Sequence, residues 1–530
     1  MRRFAELIDR LIYTPGRNAK LRLIGDYLRA TPDPDRGWAL AALTGEIDLP
    51  AVKSAAIRAM MEERSDPALF RMSRDFVGDT AETVALLWPD PIGETGEVPT
   101  ISAIIARLAV LKRGEGPAVL AALLDMMDAE ARYALIKLAT GGLRVGVSGR
   151  LARSAVASAF AVDVETIEEI WHGLAPPYAE LFAWAEGRGP LPCLDNQPVF
   201  RPFMLAHPLE TGSVDLADYA AEWKWDGIRV QLVHAGGETR LYSRGGDDIT
   251  AAFPDVANAF AHDAVLDGEL LVRGIVQGGE EGGAASFNAL QQRLGRKSVS
   301  AAMLRDAPAF VRLYDVLVDG GEDVRALPWS ERRVRLEALM PALDPDRFDL
   351  SALIEAADFG ELAAIRAASR DSAIEGVMLK RRDAPYVAGR RAGLWYKWKR
   401  DPLTVDCVML YAQRGSGKRS SFYSDYTFGC WSGDPDAGGE LLPVGKAYSG
   451  FTDEELRWLD KFVRDNSMAR FGPVREVAKS LVLEVAFDSV HLSKRHKSGL
   501  AMRFPRISRI RRDKPAAEAD HVATLLAMAT

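Results

Sequence analysis

Glu222-Trp223-Lys224-Trp225-Asp226-Gly227-Ile228-Arg229 is the stretch from which the rest of this chain can be read. Its core is Lys-x-Asp-Gly-x-Arg, which ordinary residue usage produces at about one start in a hundred thousand. Asp-Gly is a turn signal, and Ile228-Arg229-Val230-Gln231-Leu232 behind it alternates as a half-buried strand does. Taken alone, the octet is either a turn with an exposed ion pair or a lysine placed for chemistry. An ammonium is no nucleophile, and a free lysine titrates near about 10.4. Neighbouring cations or desolvation must lower that value before the amine can attack phosphorus.

Further along, Trp395-Tyr396-Lys397-Trp398-Lys399 reads as a strand, so Lys397 and Lys399 project from one face. Two lysines side by side fit a solvated sheet edge or a site for an anion, and phosphate is the natural anion. Leu266-Asp267-Gly268-Glu269-Leu270 and Glu375-Gly376-Val377-Met378-Leu379-Lys380 set acids among apolar neighbours. Such acids are costly unless paired or bound to a metal. Beside a polyphosphate, hard oxygen ligands point to Mg²⁺; structural salt bridging is the alternative.

Outward from these motifs the texture changes twice. Residues 1–190 are helical in pattern: Phe4, Leu7, Ile8, Leu11 and Ile12 recur at helical spacing, and Leu21, Ile24 and Leu28 repeat it. Gly187, Gly189, Pro190, Pro192 and Pro198 mark a linker. Residues 200–400 alternate strand-like runs (265–272, 311–318, 376–380) with helical stretches such as 331–340, the pattern of a mixed α+β sheet domain. Residues 401–530 open with Asp401-Pro402 and carry further strand-like runs at 405–412, 426–431 and 481–487. A helix starts at Thr452, with Glu455 completing a capping box. A five-stranded barrel with an inserted helix fits that segment. Three domains are therefore expected in the 530 residues.

Composition narrows the class. Apolar content of 48% and charged content of 27% are those of a soluble globular protein. The opening Met1-Arg2-Arg3-Phe4-Ala5-Glu6 breaks into charge before any secretory apolar run, and the apolar stretch at 118–124 stops at Asp125, far short of a membrane span. Cys193, Cys407 and Cys430 are too few and too scattered for a four-cysteine zinc site, and a reducing cytosol suits them. The net charge of −7 is unusual for a nucleic-acid binder, but between 494 and 514 the chain sets many Lys and Arg against the lone acid Asp513.

Lys224-x-Asp226-Gly227-x-Arg229, Ser243-Arg244, Asp267-Gly268-Glu269, Tyr314-Asp315, Glu375-Gly376…Lys380, Lys397-x-Lys399 and finally Arg511-Arg512-Asp513-Lys514 stand in the order of the covalent nucleotidyltransferase motifs. The chain resembles the ATP-dependent DNA ligases of archaeal and eukaryotic type. In the helical part the match rests on Gly142-Leu143-Arg144-Val145-Gly146-Val147-Ser148, and Pro202-Phe203-Met204-Leu205-Ala206 sits just before the catalytic domain. The resemblance implies an all-α DNA-binding domain at 1–190, an ATP-grasp-like mixed-sheet adenylation domain at 200–400 and an OB-fold β-barrel at 401–530. It also implies a monomer acting on nicked double-stranded DNA in the cytoplasm, at the nucleoid and away from membranes, with ATP and Mg²⁺. An RNA ligase or capping-type enzyme is the alternative. An NAD-dependent ligase needs a cysteine zinc finger that this chain lacks.

By the same resemblance Lys224 is the nucleophile that carries AMP. Glu222, Arg229, Arg244, Glu269, Tyr314, Arg391 and Lys397 contact the nucleotide, with Tyr314 where a stacking phenylalanine is usual. Glu269 and Glu375 face the metal, and Asp226, Lys380, Lys399, Arg511, Asp513 and Lys514 complete the set. Glu222 has independent physical sense, since a carboxylate accepts from the adenine amine and repels the guanine carbonyl oxygen. Residues 287–293 read as a short helix, either beside bound nucleic acid or simply packed.

Overall fold

The apolar spacing at the start of the chain forms the helix Arg2–Tyr13. Phe4, Leu7, Ile8 and Leu11 are buried, whereas Ile12 is 40% exposed. At about 100° per residue Ile12 lies roughly 80° round from Phe4, at the edge of the apolar stripe. Helices continue to Ala179–Ala185 around one shared core. The computed structural model describes residues 1–529 other than 90–96, 113, 195, 211–213, 276–280, 285–289, 291–292, 295, 297–298, 370–372, 416–421 and 494–495. Two compact units result, Met1–Lys399 and Arg400–Thr530. No helix among the described residues is long and apolar enough to cross a membrane.

Within the first unit the helices give way to two sheets. One has the spatial order His207–Pro208, Trp395–Lys399, Ile374–Arg381, Tyr219–Trp225, Leu353–Ile354. The other runs Glu238–Ser243, Ile228–Ala235, Ala264–Ile275, Ala309–Asp319, Glu322–Asp323, with Phe348–Leu350 parallel to Ala309–Asp319. Only Asp226 and Gly227 separate the strand Tyr219–Trp225 of the first sheet from Ile228–Ala235 of the second. A Cβ at Gly227 would overlap the Leu270 carbonyl oxygen, so the crossing needs glycine there. Phe200, Phe203, Tyr242, Tyr314, Leu317, Tyr386 and Trp395 pack into one buried cluster drawn from both sheets and the segment ahead of them.

The strand runs expected at 265–272, 311–318 and 376–380 lie inside the observed strands Ala264–Ile275, Ala309–Asp319 and Ile374–Arg381. The helix expected at 331–340 is Trp329–Leu339. Of the stretch 287–293 only Leu290 and Arg293 are among the described residues; both are buried, and Arg293 pairs with Asp255.

The second unit is built on the strand Leu403–Arg414. Its neighbours give the order Leu441–Ala447, Tyr423–Trp431, Leu403–Arg414, Val474–Val477, Ser467–Phe471, while Val482–Phe487 pairs with Leu403–Arg414 and with Arg506–Arg511. Among the described residues this sheet has seven strands, whose pairing does not close into a ring, and Ser489–Leu492 with Leu500–Arg503 forms a separate pair, where a five-stranded barrel was expected. The twelve residues of Leu403–Arg414 hold two partners on one edge, Val482–Phe487 along the first half and Val474–Val477 along the second. The capping box at Thr452 and Glu455 opens the helix Asp453–Asp465. Cys407 and Cys430, far apart in sequence, are buried cross-strand neighbours with free thiols 3.5 Å apart.

Behind the catalytic sheets Arg332 and Asp315 form a fully buried two-pronged ion pair at 2.8 and 3.0 Å, and Arg332 also donates to the Leu327 and Ala384 carbonyls. Removing one partner leaves an uncompensated charge in the interior. Arg332→Ala should therefore cost about 3–5 kcal/mol of stability in denaturant unfolding; a loss below about 1 kcal/mol would contradict this account.

Candidate active site

The crossing at Asp226-Gly227 puts Lys224 on one wall of a cleft of about 340 Å³ and Arg229 on the other. Glu222 and Lys224 stand two residues apart on one strand and so face the same side. The cleft gathers Glu222, Lys224, Arg229, Arg244, Glu269, Tyr314, Glu375, Lys380 and Lys397, all anticipated from the motifs.

Lys224 Nζ pairs with Glu375 Oε2 at 2.8 Å, and Lys399 Nζ reaches the same oxygen at 3.2 Å. A β-bulge between Ile374 and Gly376 re-aims the chain at Glu375. Gly376 sits at φ +151, where a Cβ would overlap the Trp398 carbonyl oxygen. Burial opposes ionisation of Glu375, but Lys224, Lys399 and a hydrogen bond with Asp226 overcome it and bring the carboxyl down to about 2. Asp226 itself is buried in the turn. Glu269 behaves oppositely. Burial pushes it up to about 8 despite Lys224 and Arg229 nearby, and its Oε1 accepts from Gly227 N at 3.2 Å.

At the closed end, Lys380 Nζ lies 3.2 Å from Glu222 Oε1 and donates to the Tyr314 carbonyl at 3.1 Å. Burial raises Glu222 and lowers Lys380, each opposed by the other's charge. Lys380 Nζ also sits over the Tyr314 and Trp395 rings at 4.3 and 4.7 Å. Burial lowers Lys397 as well, helped by the charges of Arg390, Lys399, Lys224 and Arg244. Like charges crowded in this way favour an anion among them.

Arg229 is held from behind. It grips Asp267 through two hydrogen bonds of 3.0 and 2.7 Å, donates to the Met204 carbonyl at 2.7 Å and lies 4.2 Å over the Phe203 ring. Tyr386 donates its hydroxyl to Asp267 at 2.7 Å. Asp267, Phe203 and Trp395 stand in stretches quoted from the sequence but were given no role there, and Tyr386 was not picked out at all. Asp267 could have been given one, because it shares a strand face with Glu269 at a spacing of two; Tyr386 and Phe203 offered no such signal.

Arg391 does not line the cleft. It is exposed and ion-paired with Glu165 on the helix Val164–Ile170. Arg511, Asp513 and Lys514 belong to the second unit. There Arg511 pairs with Asp513 at 2.9 Å and with Asp406 at 3.0 Å, and Lys514 pairs with the same Asp406 oxygen at 2.8 Å. Among the described residues no group of three or more His, Cys, Asp or Glu is placed so as to hold a metal ion.

Comparison with known proteins agrees with this geometry. Residues 203–399 match the family described as ATP dependent DNA ligase domain, and residues 419–514 match the ATP dependent DNA ligase C terminal region. The chain is 36% identical to a "Probable DNA ligase" of Anaeromyxobacter sp. (strain Fw109-5), covering 99% of this chain and 97% of that protein. It is 31% identical to a longer "Probable DNA ligase" of Opitutus terrae, over 98% of this chain and 61% of that protein. The solved structure of Pmar-Lig_Pre superposes with a TM-score of 0.61 at 16% identity, over 96% of this chain and 99% of that one, which shows a shared fold. The chain belongs to the ATP-dependent DNA ligases.

Proposed function

We propose that this chain seals nicks bearing a 5′-phosphate and a 3′-hydroxyl in duplex DNA, with Lys224 as the carrier of AMP. The observation that carries the reading is the single strand face on which a buried Glu222 and a cleft-lining Lys224 stand two residues apart, with Lys397 and Arg244 also lining the cleft. Such a span suits a purine at one end and phosphates at the other. The RNA ligase and capping alternative is not favoured, because the matching family and relatives are DNA ligases.

In the first step the Lys224 amine, freed of its proton, attacks the α-phosphorus of ATP. An N–P bond forms, the bond to the bridging oxygen breaks, and pyrophosphate leaves with that electron pair. In the second, the 5′-phosphate oxygen at the nick attacks the same phosphorus and the lysine amine departs. In the third, the 3′-hydroxyl attacks the activated 5′-phosphate and AMP leaves. Lys397 and Lys399 neutralise charge on the equatorial oxygens in each displacement, while Lys380, expected among the phosphate contacts, holds Glu222 at the base end. Arg229, Arg244 and Tyr314 hold the sugar, phosphate and base. Glu375, and Glu269 once a cation displaces its proton, would present carboxylate oxygens beside Lys224 with no sulfur or imidazole among them, a donor set suited to Mg²⁺, which would add charge neutralisation across the phosphates.

The finer assignments extend this reading. Residues 1–190 form the DNA-binding domain, 200–400 the adenylation domain, and 401–530 a unit of OB type whose Arg511, Asp513 and Lys514 orient the departing pyrophosphate. Arg391 joins the nucleotide contacts once its pair with Glu165 opens. The chain acts as a monomer on DNA at the nucleoid.

Incubation with α-labelled ATP, GTP or NAD and Mg²⁺ should label the polypeptide with ATP alone. Lys224→Ala should reduce that label to background while the protein still unfolds cooperatively; GTP labelling, or a label retained in the variant, refutes the assignment. Asp513→Ala or Lys514→Ala should slow enzyme adenylation by about 10²-fold or more and spare the sealing of a pre-adenylated nick. Equal losses in both assays would remove these residues from the pyrophosphate step.

A further inference from the structure

Arg244 reaches the cleft from a turn that follows the strand Glu238–Ser243, where Ser243 pairs with Val230 and Tyr242 bridges Asp248. Ser243 N donates to the Asp247 carbonyl at 2.8 Å, and Gly246 N donates to the Ser243 carbonyl at 2.9 Å. Ser243 Oγ accepts from Gly245 N and Asp247 N at 3.2 and 3.3 Å and donates to Asp247 Oδ2 at 3.0 Å. These bonds shape the turn from within, and the strand pairing seats it on the sheet from one side. The outer side of the turn is occupied by His172. Gly246 has φ +86, and a Cβ there would overlap the imidazole.

His172 comes from the helical region, in the short turn Trp171–Gly173. Its ring also meets Phe200 edge-on at 4.7 Å, Phe200 meets Phe203 at 5.1 Å and Tyr242 at 5.9 Å, and Phe203 lies under Arg229. One side chain therefore touches both the turn that carries Arg244 and the aromatic chain that ends beneath Arg229. Burial and the nearby Arg153 hold the imidazole down at about 4, against the pull of Asp247, so near neutrality it is an uncharged wedge rather than a cation.

We infer that His172 is a positioning residue for nucleotide binding, the point at which the helical region sets Arg244 through Gly246 and Arg229 through Phe200 and Phe203. The inference rests on the reading of those arginines as nucleotide contacts. It gives the helical region a part in nucleotide affinity, and linkage makes the effect mutual: whatever loosens the His172 contact weakens the grip on nucleotide, and bound nucleotide strengthens the contact.

The test uses the full-length protein and self-adenylation at varied ATP. His172→Ala should raise KM for ATP by about three- to tenfold with kcat within about twofold, because a positioning loss of this kind falls on binding. His172→Gln, flat and of similar reach, should recover most of the affinity. Arg244→Ala should raise KM as well, and His172→Ala should add less in that background than it does alone, what remains coming through Arg229. An unchanged KM in His172→Ala beside a raised one in Arg244→Ala overturns the role of His172. Full additivity, or equal losses in the Gln and Ala variants, does the same. An unchanged KM in Arg244→Ala instead overturns the reading of Arg244 as a nucleotide contact.

Discussion

Everything in the catalytic unit depends on the chain crossing from one sheet to the other through two residues. Gly227 lies so close to the Leu270 carbonyl that no side chain fits, and its N–H is spent on Glu269. The preceding N–H, from Asp226, is spent on the Ala373 carbonyl at 2.6 Å. The turn is thus pinned to both sheets at once. Lys224 and Arg229, five residues apart in sequence, end on opposite walls of one cleft because the crossing is this short.

Around that turn the protein spends its buried charge in pairs. Arg229 with Asp267, Lys380 with Glu222 and Arg332 with Asp315 are all desolvated, and each is tied further by backbone carbonyls. Buried pairs give little net stability but penalise any rearrangement that separates them. They fix the cleft walls, beside which Lys399 pairs with Glu375 and Arg244 stands exposed.

Much of this was legible in the sequence, for stated reasons. Strand periodicity placed the strands around Asp267, Glu269, Glu375 and Lys380, and the capping box placed the helix after Thr452, because these signals are local. The motif residues that meet in the cleft were legible as an ordered set, although spacing alone left a solvated sheet edge open for Lys397 and Lys399. The rest was hidden because it depends on contacts distant in sequence. Nothing near Tyr386 or Phe203 announces that they stand behind Arg229, and nothing near His172 announces Gly246. Cys407 and Cys430 are neighbours only because two strands pair. A closed barrel at 401–530 is not seen among the described residues, and counting apolar runs does not reveal that Leu403–Arg414 is long enough to hold two partners on one edge.

Two ammonium groups, Lys224 and Lys399, share one oxygen of Glu375. The resting protein thereby carries its own stand-in for a phosphate. On the proposed reading, an arriving nucleotide does not fill an electrostatic vacuum; it trades places with an anion already built into the wall. The electrostatic gain is then the difference between two similar pairings rather than the whole of one. When the spent nucleotide departs, the same carboxylate closes the gap behind it, so a site rich in positive charge can still let go of its products.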